Sequence, residues 1–151
     1  MFDILMFLFE SYFNAGSYPD PEKLSIKLSA AGFEEEDISR ALSWLSGLHQ
    51  LTQTDYPISI NNSGLRSFAG IEIQAISTEA LLFISFLEHN KMITPIEREM
   101  IIDRAVAFGR EKLPLDKVKL IVLMILWNQH EKLDPLLVED LLTPINLSQL
   151  H

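Results

Sequence analysis

The sequence predicts a mostly α-helical protein: a winged-helix-like N-terminal half with a short β hairpin, packed on a C-terminal helical bundle. Three observations carry this. Apolar residues recur at helical spacing through most of the chain. Proline, glycine and short polar residues punctuate them where helices start and stop. The stretch 52–69 changes character, with Tyr56, Ile58 and Ile60 alternating before Asn61-Asn62-Ser63-Gly64.

The first helix is expected from Phe2 to Asn14. Phe2, Leu5, Met6, Phe9, Tyr12 and Phe13 form its stripe, which Ile4, Phe7 and Leu8 widen nearly all round. Gly16 ends it. Asp20-Pro21-Glu22 starts the second helix, with Asp20 as N-cap and proline at the first helical position. Leu24, Ile26, Leu28 and Ala31 follow, and Gly32 closes it. The third helix opens on Glu34, Glu35, Glu36 and Asp37, where negative charge suits the positive end of the macrodipole. Its apolar face is Ile38, Ala41, Leu42, Leu45 and Leu48. These helices, with the Ala31-Gly32-Phe33 turn and the hairpin after them, have the order of a helix-turn-helix with a wing. The rival is one continuous helical bundle.

The second half is helical again. Ile71 to Ile76 is a short helix or turn, and Ser77 or Thr78 starts an apolar helix through Leu87. Thr94-Pro95-Ile96-Glu97 is a capping box, opening a helix through Met100, Ile101, Ala105 and Phe108 to Gly109. Asp116 to Asn128 is the most hydrophobic helix, with Trp127 expected in the core. Asp134-Pro135 starts a last helix through Leu141, and Pro144 stops it. The expected organisation is a helix-turn-helix-like half over 1–70 and a helical half over 71–151, in one compact unit.

Bulk properties narrow the function. With 151 residues and 48% hydrophobic residues, the chain can bury a sizeable core. The absence of cysteine removes disulfides, thiolate zinc sites, iron–sulfur clusters and cysteine nucleophiles, and fits a reducing compartment. The apolar start carries Asp3 and Glu10 and no basic segment, so no signal peptide is expected. The run Leu120 to Trp127 is far below the ~20 residues of a membrane span. A cytoplasmic protein is the expectation. The net charge of −9 argues against a broad nucleic-acid or membrane surface.

No catalytic, cofactor-binding or metal-binding residues are expected. His49, His89, His130 and His151 form no metalloprotease motif, and the first three read as residues near helix ends, where imidazolium is favoured. Glu99 and Asp103 share a helix face, but Arg98 and Arg104 flank them, which reads as a solvated charged face. The six glycines form no phosphate-binding loop. DNA binding through the third helix is disfavoured by its own front. From 20 to 51 the acids Asp20, Glu22, Glu34, Glu35, Glu36 and Asp37 outnumber Lys23, Lys27 and Arg40.

Protein interaction remains. Phe7 falls on the line Asp3, Phe7, Glu10, Asn14, the otherwise polar side of the first helix. Trp44 lies about 100° from the centre of the third helix's apolar stripe. An aromatic beside Arg40 has the composition of an interface anchor. Phe7, Arg40 and Trp44 are therefore the partner-binding candidates, set against the alternative that both aromatics pack within the chain.

The opening Met1-Phe2-Asp3-Ile4-Leu5-Met6-Phe7-Leu8-Phe9-Glu10 resembles the start of the bacterial Smg family. So do Gly32-Phe33-Glu34, Asp37-Ile38, Ala41-Leu42, Trp44-Leu45, Phe86-Leu87-Glu88, Arg98-Glu99-Met100, Ile102-Asp103-Arg104 and the stretch Lys119 to Asn128. The resemblance runs nearly end to end. It implies a protein of unknown molecular function, with no established site residues to carry over. Smg genes tend to lie near genes for DNA processing and protein N-terminal maturation, which is a matter of context. The resulting expectation is a non-enzymatic cytoplasmic protein-binding or adaptor module without cofactors. Its partner is another protein, a second copy of the chain included. The alternative is a nucleic-acid-associated regulator linked to DNA processing or translation, using a basic patch from Arg66, Arg98, Lys112, Lys117 and Lys119.

Overall fold

A computed structural model describes residues 2–12, 21–51, 70–108, 112–129 and 133–142. These hold eight helices in two compact units, Met1–Gln50 and Leu51–His151. The first unit contains α1 (Phe2–Tyr12), α2 (Pro21–Ala30) and α3 (Glu35–Gln50), with α1 and α2 both packed on α3. The second contains α4 (Gly70–Ala75), α5 (Thr78–His89), α6 (Pro95–Val106), α7 (Leu115–Gln129) and α8 (Pro135–Leu142).

The fold class is corrected in one respect. It is mostly α, as expected, but the β hairpin is not supported, and the winged-helix-like description goes with it. Among the described residues there is no strand, and the β-type pairing is an isolated parallel bridge between Ile76 and Leu113. The alternating stretch 52–69 itself lies outside the described residues, as do the cap at Asp20, the stops at Gly16, Gly109 and Pro144, and Arg66, His130 and His151. The physical reason is the weakness of the signal. A two-stranded hairpin is marginal unless a third strand or an apolar surface supports it, and the described residues offer no strand.

Helix ends follow the sequence signals. Glu34 O accepts the first bond of α3, from Ile38 N at 3.0 Å, so three carboxylates occupy the first turn. At the end of α2, Gly32 has φ +95°, a conformation glycine adopts without a Cβ penalty. Phe33 N donates to Leu28 O (3.3 Å) and Gly32 N to Ser29 O (3.1 Å), the pair of bonds of a Schellman motif. The capping box is complete. Thr94 Oγ1 accepts from Glu97 N (3.1 Å), and Glu97 Oε1 accepts from Thr94 N (2.8 Å). Asp134 Oδ1 accepts from Leu136 N at 3.0 Å, capping α8.

The core of the second unit is α7. Every residue from Val118 to Leu126 is buried, and α5, α6 and α8 pack around this helix. Trp127, expected in the core, is half-buried beyond that run. The bridge at Ile76 and Leu113 ties the α4–α5 connection to the segment entering α7. Ser77 N donates to Leu113 O and Leu113 N to Ala75 O, both at 2.9 Å.

The C-terminus of α5 is also a Schellman turn, with Lys91 N donating to Glu88 O (3.0 Å) and Met92 N to Leu87 O (2.9 Å). Here a lysine, not a glycine, takes the left-handed position, at φ 59°. Two stability predictions follow from these geometries. Thr94→Ala should lower unfolding free energy by about 1 kcal/mol in urea titration. Lys91→Gly should raise it by roughly 0.5–1 kcal/mol, because it relieves a left-handed non-glycine residue.

Candidate functional site

In the first unit the interaction candidates are covered to different degrees. Phe7 is half-buried and meets Phe33 edge-on, with ring centroids 5.6 Å apart and planes at 70°. The turn at Gly32 delivers Phe33 to this contact. Trp44 is 5% exposed and lies with Ile38, Ala41, Leu45 and Leu48 on the buried face of α3. The buried arc of that helix is thus wider than its aliphatic stripe. Arg40 is half-buried. The outer end of α3 presents Glu34, Glu35 and Glu36 to solvent.

In the second unit, two basic residues are inside. Arg98 is 2% exposed. Its Nη1 donates to Glu88 Oε1 (2.8 Å) and Oε2 (2.7 Å), and its Nε to Glu99 Oε2 (2.7 Å). The sequence reading of this stretch as a solvated charged face is therefore wrong for Arg98, which links α6 to the end of α5. The missing information was the partner: Glu88 is ten residues away and belongs to another helix. Lys119 is 7% exposed. Its Nζ sits 5.3 Å from the Phe83 ring centroid and 3.5 Å from Asp140 O, one of the carbonyls left free by the last turn of α8. Of the five cations considered for a basic patch, Arg98 and Lys119 are thus buried, Lys117 is half-buried, Lys112 is exposed, and Arg66 is outside the described residues.

The outer face of α5 is the feature that sequence reading missed. Leu82 is 67% exposed and Phe86 54% exposed, one turn apart on the same face. Exposed Glu79 and His89 stand at the two ends of this stripe, followed by exposed Lys91. The apolar run from Leu81 to Leu87 signals a helix, but its periodicity is too broad to say which side stays uncovered. Inward-facing Ala80, Leu81, Ile84 and Leu87 are buried. The ion pair from Arg98 to Glu88 holds the same helix from behind, so the exposed stripe sits on a braced element.

Among the described residues, no group of three or more histidines and carboxylates could hold a metal ion. No helix of those residues is long and apolar enough to cross a membrane. His49 is exposed by surface area, yet its surroundings desolvate the ring enough to hold its pKa below the ordinary 6.5. This runs opposite to the dipole effect expected at a helix C-terminus.

Truncating Arg98 strands Glu88 and Glu99 in a partly buried setting. Arg98→Ala should cost about 3–5 kcal/mol in denaturant unfolding, and Arg98→Lys should recover only part of it, since an ammonium cannot serve both carboxylates with the same fork. His49 is neutral more readily in the folded than in the unfolded chain. Its contribution to stability should be full above pH 6.5 and fade as the pH falls below that value, and His49→Gln should remove this component from the pH profile of the unfolding midpoint.

Comparison with known proteins accounts for the whole chain. The family described as "Protein of unknown function (DUF494)" matches residues 1–151. The "Protein Smg homolog" of Methylobacillus flagellatus is 40% identical over 151 residues, covering 100% of both chains. That of Herminiimonas arsenicoxydans is 44% identical over 145 residues, covering 93% of this chain and 92% of the relative. That of Nitrosomonas europaea is 41% identical over 152 residues, again covering 100% of both. No solved structure matches. Matched along its full length to the family model and to two of these relatives, the chain belongs to the DUF494 family, the family of the Smg homologs.

Proposed function

We propose that this chain is a non-enzymatic, cytoplasmic protein-binding module, and that α5 of the second unit presents its docking surface. One observation carries the reading: Leu82 and Phe86 are large apolar side chains, 67% and 54% exposed, side by side on a helix whose opposite face is buried. Scattered exposed apolar residues need no explanation, but an adjacent leucine–phenylalanine pair on one helix face is the kind of anchor that helix-mediated interfaces use. The location differs from the N-terminal half favoured by sequence. Trp44 is covered and Phe7 faces Phe33, which leaves neither ring as open as Leu82 or Phe86.

The acidic composition supports a polypeptide partner over a polyanion, and the burial of Arg98 and Lys119 withdraws two cations from any phosphate-binding patch. The absence of cysteine accords with a reducing compartment. The test is affinity purification from the native cell with mass spectrometry of co-eluting proteins. A stoichiometric polypeptide should be retained by the wild type and lost from Leu82→Asp and Phe86→Asp chains that keep their helical circular dichroism and unfolding midpoint. Equal recovery from wild type and both variants would remove α5 as the docking surface.

A further inference from the structure

The exposed face of α5 is self-complementary, and we infer that it pairs antiparallel with α5 of a second copy of this chain. The inference deepens the protein-binding reading and rests on it.

In an antiparallel helix pair related by a two-fold axis, each position i faces position j of the other copy, and j faces i. With the axis level with Ile84, Leu82 of one copy faces Phe86 of the other, twice over. The same register sets Glu79 opposite His89, and Lys91, just beyond the helix end, within side-chain reach of Glu79. All five residues are exposed. The stripe thus reads acidic, apolar, apolar, basic, an order that complements itself only when reversed. A parallel pair would set Glu79 against Glu79 and Lys91 against Lys91. Ser85, half-buried on the flank of this face, is small and adds no bulk beside the two apolar side chains.

The backbone at Lys91 adds a second observation. The left-handed position of a Schellman turn is most often glycine, and a lysine there is held against its backbone preference. Such strain is retained where the side chain serves a purpose, and a cation facing Glu79 of the other copy supplies one. Behind the stripe, the ion pair from Arg98 to Glu88 fixes the end of α5 that carries His89 and Lys91.

The test uses the full chain and two charge reversals, Glu79→Lys and Lys91→Glu. Sedimentation velocity over a wide concentration range should show a reversible dimer for the wild type, and each variant alone should dimerise roughly tenfold or more weakly, because like charges then meet on both sides of the axis. Mixing the two variants should restore association near the wild-type level, since position 79 of either chain then faces an opposite charge at position 91 of the other. A misfolded variant could not be rescued by mixing. Leu82→Asp should abolish the dimer, and Lys91→Gly should weaken it while stabilising the monomer. A monomeric wild type throughout, a dimer indifferent to Leu82→Asp, or a mixture no stronger than its components would overturn the homotypic pairing. If the chain is monomeric while Leu82→Asp still loses a different polypeptide in affinity purification, the second copy is excluded and the protein-binding reading stands.

Discussion

The second unit is organised by a helix with no wet side. From Val118 to Leu126, no residue of α7 is more than 7% exposed, so this run must be enclosed nearly all round. Enclosure cannot come from one neighbour, and α5, α6 and α8 each take a sector. Much of the remaining design of the unit is what that enclosure requires: short connections, firm helix ends, and a bridge at Ile76 and Leu113 that anchors the entry to α7.

Enclosure also explains the internal charges. Lys119 lies within the buried run of α7, and its ammonium reaches the edge of the helix packing, where the Phe83 ring and the Asp140 carbonyl take the charge. Arg98 is held between Glu88 and Glu99. Buried ion pairs add little net stability over apolar packing, but they tolerate few alternative arrangements. Here the arginine fixes how α5 lies on α6. A helix held that way keeps its outer face in one orientation, and that face carries Leu82 and Phe86.

Helix boundaries were largely legible because their causes are local. A threonine three residues before a glutamate, a proline at a first helical position, or a glycine after an apolar stripe acts through hydrogen bonds spanning only a few residues. Thr94 with Glu97, Asp134 with Leu136 and Gly32 with Ser29 bear that out. The hairpin expectation failed at the other extreme of range, because alternation over a few residues says nothing about whether a pairing partner is supplied.

The family, the helical class and the capping of the helices were decided by the sequence alone, since composition, order and short-range bonding are all written along the chain. Which charges are buried and which apolar residues are left outside was decided by tertiary packing. Arg98 looked solvated because Glu88 sits in another helix, and Trp44 looked like a flank residue because one helix cannot report how wide a neighbour will cover it. Leu82 and Phe86 looked like core because the middle of α5, from Ala80 to Leu87, is apolar but for Ser85. Burial depends on how many neighbours surround a helix, and that number is set only once the helices meet.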